Sequence, residues 1–134
     1  MERITLTPTI NGYLLAWRKA ILTNDLNKVL SLYAPNAILL GTIANSYEVK
    51  RENIKSYFVD FFGKNTITDV KYLSVVNQFI TGSPNLIISS GVYVFERKND
   101  EPVKARFSFV FEASTPNSEP KSYIVNHHSS IPAE

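Results

Sequence analysis

Cysteine is missing altogether from this chain of 134 residues. That excludes a disulfide framework, a thiol nucleophile and any cysteine-ligated zinc or iron–sulfur site. The fold must stand on packing alone, and a domain of this length buries roughly two-thirds of the surface its unfolded chain exposes. Long hydrophobic runs are missing too. No apolar stretch approaches the roughly 20 residues that span a bilayer. The opening Met1-Glu2-Arg3-Ile4-Thr5 lacks the apolar segment of a signal peptide. A cytoplasmic protein without membrane contact is the expectation. Charge of one sign is not in excess either, since 14 Lys and Arg face 12 Asp and Glu. The densest basic pair, Arg97-Lys98, is followed at once by Asp100 and Glu101. Such a spread argues against nucleic acid as a partner. There is no Gly-rich phosphate loop and no dinucleotide fingerprint, so no nucleotide cofactor is expected.

What is present is aromatic and β-branched. Eight Phe, seven Tyr and Trp17 give enough bulk to build one globular core. No linker, repeat or low-complexity segment divides residues 1–134, so a single domain is expected. Helical patterns come first and strand patterns later, which reads as α+β. Thr7-Pro8 reads as the start of a first helix, with Ile10, Tyr13, Leu14, Trp17, Ala20 and Ile21 forming one apolar face. Asn24 or Asp25 caps a short second helix with Leu26, Val29, Leu30 and Tyr33 on its buried side, broken by Pro35-Asn36. Ala37 to Leu40 reads as a short strand ending at Gly41, with Tyr47-Glu48-Val49 as a candidate partner. Arg51 to Phe62 reads as a third helix with Ile54, Tyr57, Phe58, Phe61 and Phe62 on one stripe and Gly63 as its stop. Four strands follow, Asp69–Ile80, Asn85–Arg97, Val103–Ala113 and Lys121–Ile131, joined by short turn-rich segments. Short connections between long strands predict an antiparallel meander.

Alternation assigns faces. Ala105, Phe107, Phe109 and Phe111 fall on one side of their strand, with Lys104, Arg106 and Glu112 on the other. The preceding strand is apolar on both sides: Tyr93 and Phe95 point one way, Val92 and Val94 the other. Three short helices cover one side of a sheet, so Val92 and Val94 are expected in a contact between copies of the chain.

The closing segment Tyr123-Ile124-Val125-Asn126-His127-His128-Ser129-Ser130-Ile131-Pro132 is the most specific string. It resembles the last strand of the association (hub) domain of calcium/calmodulin-dependent protein kinase II and its stand-alone bacterial relatives. Leu32-Tyr33-Ala34-Pro35-Asn36-Ala37, Ile54-x-x-Tyr57-Phe58-x-x-Phe61, Gly91-x-Tyr93-x-Phe95 and Ala105-Arg106-Phe107-Ser108-Phe109-Val110 are similar to further stretches of that family, in the same order. The resemblance implies the nuclear transport factor 2-like fold: three helices on a curved, mainly antiparallel sheet with a cavity between them. Ketosteroid isomerase and SnoaL-like cyclases share that fold, so it does not choose a function. Tyr123 stands where the family usually has Trp, and Ser129 stands where the kinase hub has Arg.

The two histidines, His127 and His128, are adjacent, and adjacent side chains on a strand point to opposite faces. Both therefore do not reach one metal ion or one substrate, and no metal site is expected. One is expected to face the cavity, where it could move a proton or simply tie the strand to the helices; which one is left open. Ser129 and Ser130 read as hydrogen-bond partners rather than nucleophiles. Arg106 is either a clamp for an anionic ligand or an ion-pair partner on the outer face. Tyr13, Trp17, Tyr33, Tyr57, Phe58 and Tyr93 are the aromatic candidates for a pocket lining. Asp25 reads as a helix cap and Asp60 as solvated, so neither is a strong general base. Three functional expectations follow. One is a self-associating module, a dimer or larger ring, that binds a small and in one version acidic molecule. Another is a cofactor-free isomerase, cyclase or dehydratase using a cavity histidine as acid or base. The third is a pure oligomerisation scaffold.

Overall fold

The computed structural model describes residues 4–7, 11–41, 51–83, 85–112 and 123–131. In chain order the elements are β1 (Ile4–Thr7), α1 (Gly12–Leu22), α2 (Leu26–Leu30), β2 (Tyr33–Leu40), α3 (Arg51–Lys64), β3 (Ile67–Ile80), β4 (Leu86–Arg97), β5 (Asp100–Glu112) and β6 (Ile124–Ser130). The strands form one sheet in the order β1-β3-β4-β5-β6-β2. Every pairing is antiparallel except β2 with β6. The α+β class and the four-strand meander are as expected, and two flanking strands extend the meander.

The first helix does not begin at Thr7. Thr7 belongs to β1 and sits opposite Asn77 of β3. The cap is Asn11, whose Oδ1 accepts from the Leu14 N–H at 2.9 Å while its Nδ2 donates to Asn77 and Ser89, 2.8 Å each. One side chain thus starts the helix and pins it to two strands, and the long-range ladder at Thr7 overrides the local Thr-Pro signal. Asp25 caps α2 by accepting from the Asn27 N–H at 2.9 Å. Asn24 beside it takes a positive φ of 52° and bonds both the N–H and the C=O of Ile67. Tyr33 opens β2 rather than continuing α2, because its strand pairs with Ile124 of β6. The helix has already ended at Leu30, ahead of Pro35-Asn36. Gly63 does not stop α3, which runs on to Lys64; Asn65 closes it through its side chain and its N–H, both donating to the Phe61 carbonyl. The candidate strand Tyr47-Glu48-Val49 lies outside the described residues.

The core lies between the helices and the inner face of the sheet. Leu14, Trp17 and Ile21 of α1, Val29 of α2, and Ile54 and Phe58 of α3 meet Val70, Tyr93, Phe107, Phe109 and Phe111 of the strands. Each such side chain contributes roughly 1.5–3 kcal/mol through removal from water. In β3, Leu73 is an extra residue in the ladder. The ladder shifts register between Tyr72 and Ser74, opposite Val92 and Tyr93. Gly91 is required there, because a Cβ at that position would overlap the Ser74 carbonyl oxygen. Among the described residues no helix is long and apolar enough to cross a membrane.

Candidate functional site

The alternation of β6 decides the histidine question. Tyr123, Ile124, His127 and Ser129 are buried, and Asn126 and His128 are exposed. His127 enters the core under α1, with Phe109 stacked on its ring at 3.9 Å between centroids and Trp17 edge-on at 5.5 Å. Its Nδ1 lies 2.7 Å from the Tyr33 hydroxyl and its Nε2 lies 3.2 Å from the Tyr93 hydroxyl. Tyr93 donates in turn to Ser129 Oγ at 2.7 Å, and Trp17 Nε1 donates to Tyr33 at 3.3 Å.

These contacts fix the direction of the hydrogens. An indole nitrogen can only donate. Tyr33 accepts from Trp17, so its own hydrogen is available to His127 Nδ1. A neutral imidazole with Nδ1 as acceptor carries its hydrogen on Nε2, which donates to the Tyr93 oxygen. Tyr93 passes its hydrogen to Ser129. One run of donors therefore crosses the core from α1 through β2, β6 and β4. The electrostatics agree. Burial pushes the His127 pKa down to about 3, helped by His128. Burial also raises the Tyr33 and Tyr93 hydroxyls well above their ordinary value. Every group in the chain is held neutral near pH 7. An imidazole so weakly basic, with both nitrogens engaged, is suited to ordering its neighbours and poorly suited to taking a proton from a substrate.

A small cavity opens beside this network. Its walls are Trp17 and Ile21 from α1, Leu39 and Gly41 at the end of β2, and Tyr57, Phe58 and Phe61 from α3; β4 supplies Tyr93 and Phe95, and β6 supplies His127 and Ser129. Its free volume is about 20 Å³, room for about one ordered water. At one wall the Tyr57 ring lies so near Gly41 that a Cβ there would overlap Cε1 and Cζ.

The expected site residues divide. Trp17, Tyr57, Phe58, Tyr93, His127 and Ser129 line the cavity, and Tyr33 stands one hydrogen bond behind it. Tyr13 is elsewhere, packed on Phe111 and Tyr123. His128 and Arg106 are exposed on the opposite face of the sheet, where Arg106 pairs in register with Ser130 and Val92. Of the two readings of Arg106, the cavity clamp is the one the structure does not support: strand parity puts its side chain on the outer face, as the alternation of β5 indicates. Ser130 is turned away for the same reason. Val92 and Val94 are half-buried on that outer face. Phe109, Ile21, Leu39, Gly41, Phe61 and Phe95 were not singled out as site residues. Phe109 was legible, because it lies in register with His127, but only once β5 and β6 are paired. Among the described residues no three His, Asp or Glu side chains gather as a metal site.

No family model and no curated protein matches the sequence. Solved structures do. A protein from Xanthomonas campestris, provisionally described as a calcium/calmodulin dependent protein kinase II association domain, is 30% identical and superposes with a TM-score of 0.74 over 88% of this chain and 81% of its own. A nuclear transport factor 2-like protein of unknown function from Pseudomonas putida has a TM-score of 0.70 at 12% identity, over 91% of this chain and 83% of its own. A protein from Parabacteroides distasonis, provisionally called a ketosteroid isomerase, has a TM-score of 0.66 at 13% identity, over 84% and 80%. The last two share the fold alone. The identity to the first, spread over most of both chains, places this protein in the nuclear transport factor 2-like superfamily, in the family of the calcium/calmodulin-dependent protein kinase II association domains.

Proposed function

We propose that the protein is an association module whose copies join through the outer face of the sheet. The observation that carries this reading is the register of that face. Ile38, Asn126, Val110 and Ile88 form one row, and Leu40, His128, Ser108, Ser90 and Val76 form the next. Ile38, Leu40 and Val76 are 40%, 38% and 41% exposed, so apolar side chains stand in water on the side that, among the described residues, no helix covers. A mixed face with apolar flanks around Ser90, Ser108 and His128 has the composition of a protein–protein contact. The Xanthomonas relative's description as an association domain supports the same reading. A second copy is the occupant proposed.

The test is mass in solution. Sedimentation equilibrium should give the wild-type chain a multiple of its 15.1 kDa, and Val92→Glu should return it to the single-chain value. A wild-type monomer, or a variant of unchanged mass, contradicts the reading.

A further inference from the structure

The outer side of β5 is charged unevenly along its length. Lys104 and Arg106 stand toward one end and Glu112 at the other, all three exposed, with Ser108 and Val110 between them. Lys71 shares a row with Lys104 through Val94, but it is already paired with Glu96 at 3.3 Å. Among the described residues neither Arg106 nor Glu112 has an ion-pair partner. The strand rises about 3.3 Å per residue, so these two side chains start about 20 Å apart on one face. They cannot meet within one chain, but they can meet between two.

Symmetry limits how. Two copies that pack the same face on each other are related by a two-fold axis lying in the plane between the sheets. An axis along the strands would bring the basic ends together, with Lys104 and Arg106 facing their own copies. An axis across the strands lays β5 against its copy in the opposite sense, and the basic end of each meets the acidic end of the other. Like charges opposed across a contact are costly, so charge selects the second arrangement.

The register then places the axis. The midpoint between Arg106 and Glu112 falls between the row that holds Ser108 and the row that holds Val110. An axis there sets Leu40 opposite the partner's Ile38, and Val92 opposite the partner's Leu86, apolar on apolar. An axis through the Ser108 row would set Lys104 against Glu112 but turn the Arg106 guanidinium onto Val110, desolvated and without an acid. Aligned sheets pack about 10 Å apart and cross at about 30°, which offsets the strand ends by roughly 5 Å. An arginine and a glutamate side chain together span that distance.

We propose that two copies pack with their β5 strands antiparallel across the interface, and that Arg106 of each pairs with the partner's Glu112. This rests on the association proposed above and names its geometry.

The self-association constant, from sedimentation equilibrium over a dilution series at low salt, carries the test. The proteins compared are wild type, Arg106→Glu, Glu112→Arg and the two reversals together, each checked for fold by circular dichroism. Truncation to alanine would read little, because an exposed pair is worth little. A single reversal opposes like charges at both symmetric contacts and should weaken association at least roughly tenfold. The double reversal should return to within about threefold of wild type. Lys104→Glu combined with Glu112→Arg should stay weak. A wild-type monomer overturns the association, and the pairing with it. An associated wild type overturns the pairing alone if the single reversals match it, if the double reversal is no stronger than the singles, or if the Lys104 combination restores association.

Discussion

His127 and His128 are one residue apart, and the sheet gives them opposite circumstances. His127 is 3% exposed, stacked on Phe109 and bonded at both nitrogens. His128 stands in solvent between Leu40 and Ser108. Ser129 and Ser130 repeat the contrast, the first bonded to Tyr93 and the second beside Arg106. The same residue type is part of a closed network on one face and of an open surface on the other. Strand parity therefore decides the role, and residue chemistry only decides what the role costs to lose.

The largest test breaks the frame both faces share. Gly91→Ala drives a Cβ into the Ser74 carbonyl, backbone against backbone, where nothing flexible can yield. Loss of more than about 4 kcal/mol, or no folded protein, is expected by circular dichroism and urea unfolding. Next, the faces can be set against each other. Trp17→Ala removes a buried ring and the donor to Tyr33, and should cost about 3–5 kcal/mol. Arg106→Ala on the outer face should stay within about 0.5 kcal/mol. Smaller again is the histidine pair. His127→Leu leaves the buried Tyr33 hydroxyl without the nitrogen it donates to and should cost about 2 kcal/mol, against about 0.5 kcal/mol or less for His128→Leu. Tight equality within either pair would erase the distinction between the faces.

Acid should sharpen the comparison further. The folded state holds His127 near a pKa of about 3, well below the 6.5 of an unhindered imidazole. Above pH 6.5 neither the folded nor the unfolded chain protonates this group, so it contributes nothing to the pH dependence there. As pH falls below 6.5 the unfolded chain takes a proton that the folded chain refuses. Stability should then drop by roughly 1 kcal/mol per pH unit toward pH 4. Asp69, whose carboxyl is held low by its hydrogen bond from Arg18, acts only below its ordinary 3.8 and does not confuse that window. His127→Gln should flatten the slope in urea unfolding series.

Much of this was legible in the chain. Alternation in β5 placed Ala105, Phe107, Phe109 and Phe111 inside, and adjacency alone put the two histidines on opposite faces. What local pattern could not supply was long-range capture. Thr7-Pro8 has the chemistry of a helix start, but β3 takes Thr7 as a strand partner and Asn11 becomes the cap. Tyr33 has the spacing of a helical residue, but pairing with Ile124 draws it into the sheet and so to His127. Gly41 was legible only as the end of a strand, because its further use is to receive a ring from α3, an element that begins ten residues later.

Imidazole nitrogen shifts of His127, followed by NMR from pH 8 to pH 4.5, test the central claim most directly. A neutral ring with its hydrogen on Nε2 throughout is the result the buried network requires. A ring that gains a proton near pH 6.5, or carries its hydrogen on Nδ1, contradicts it.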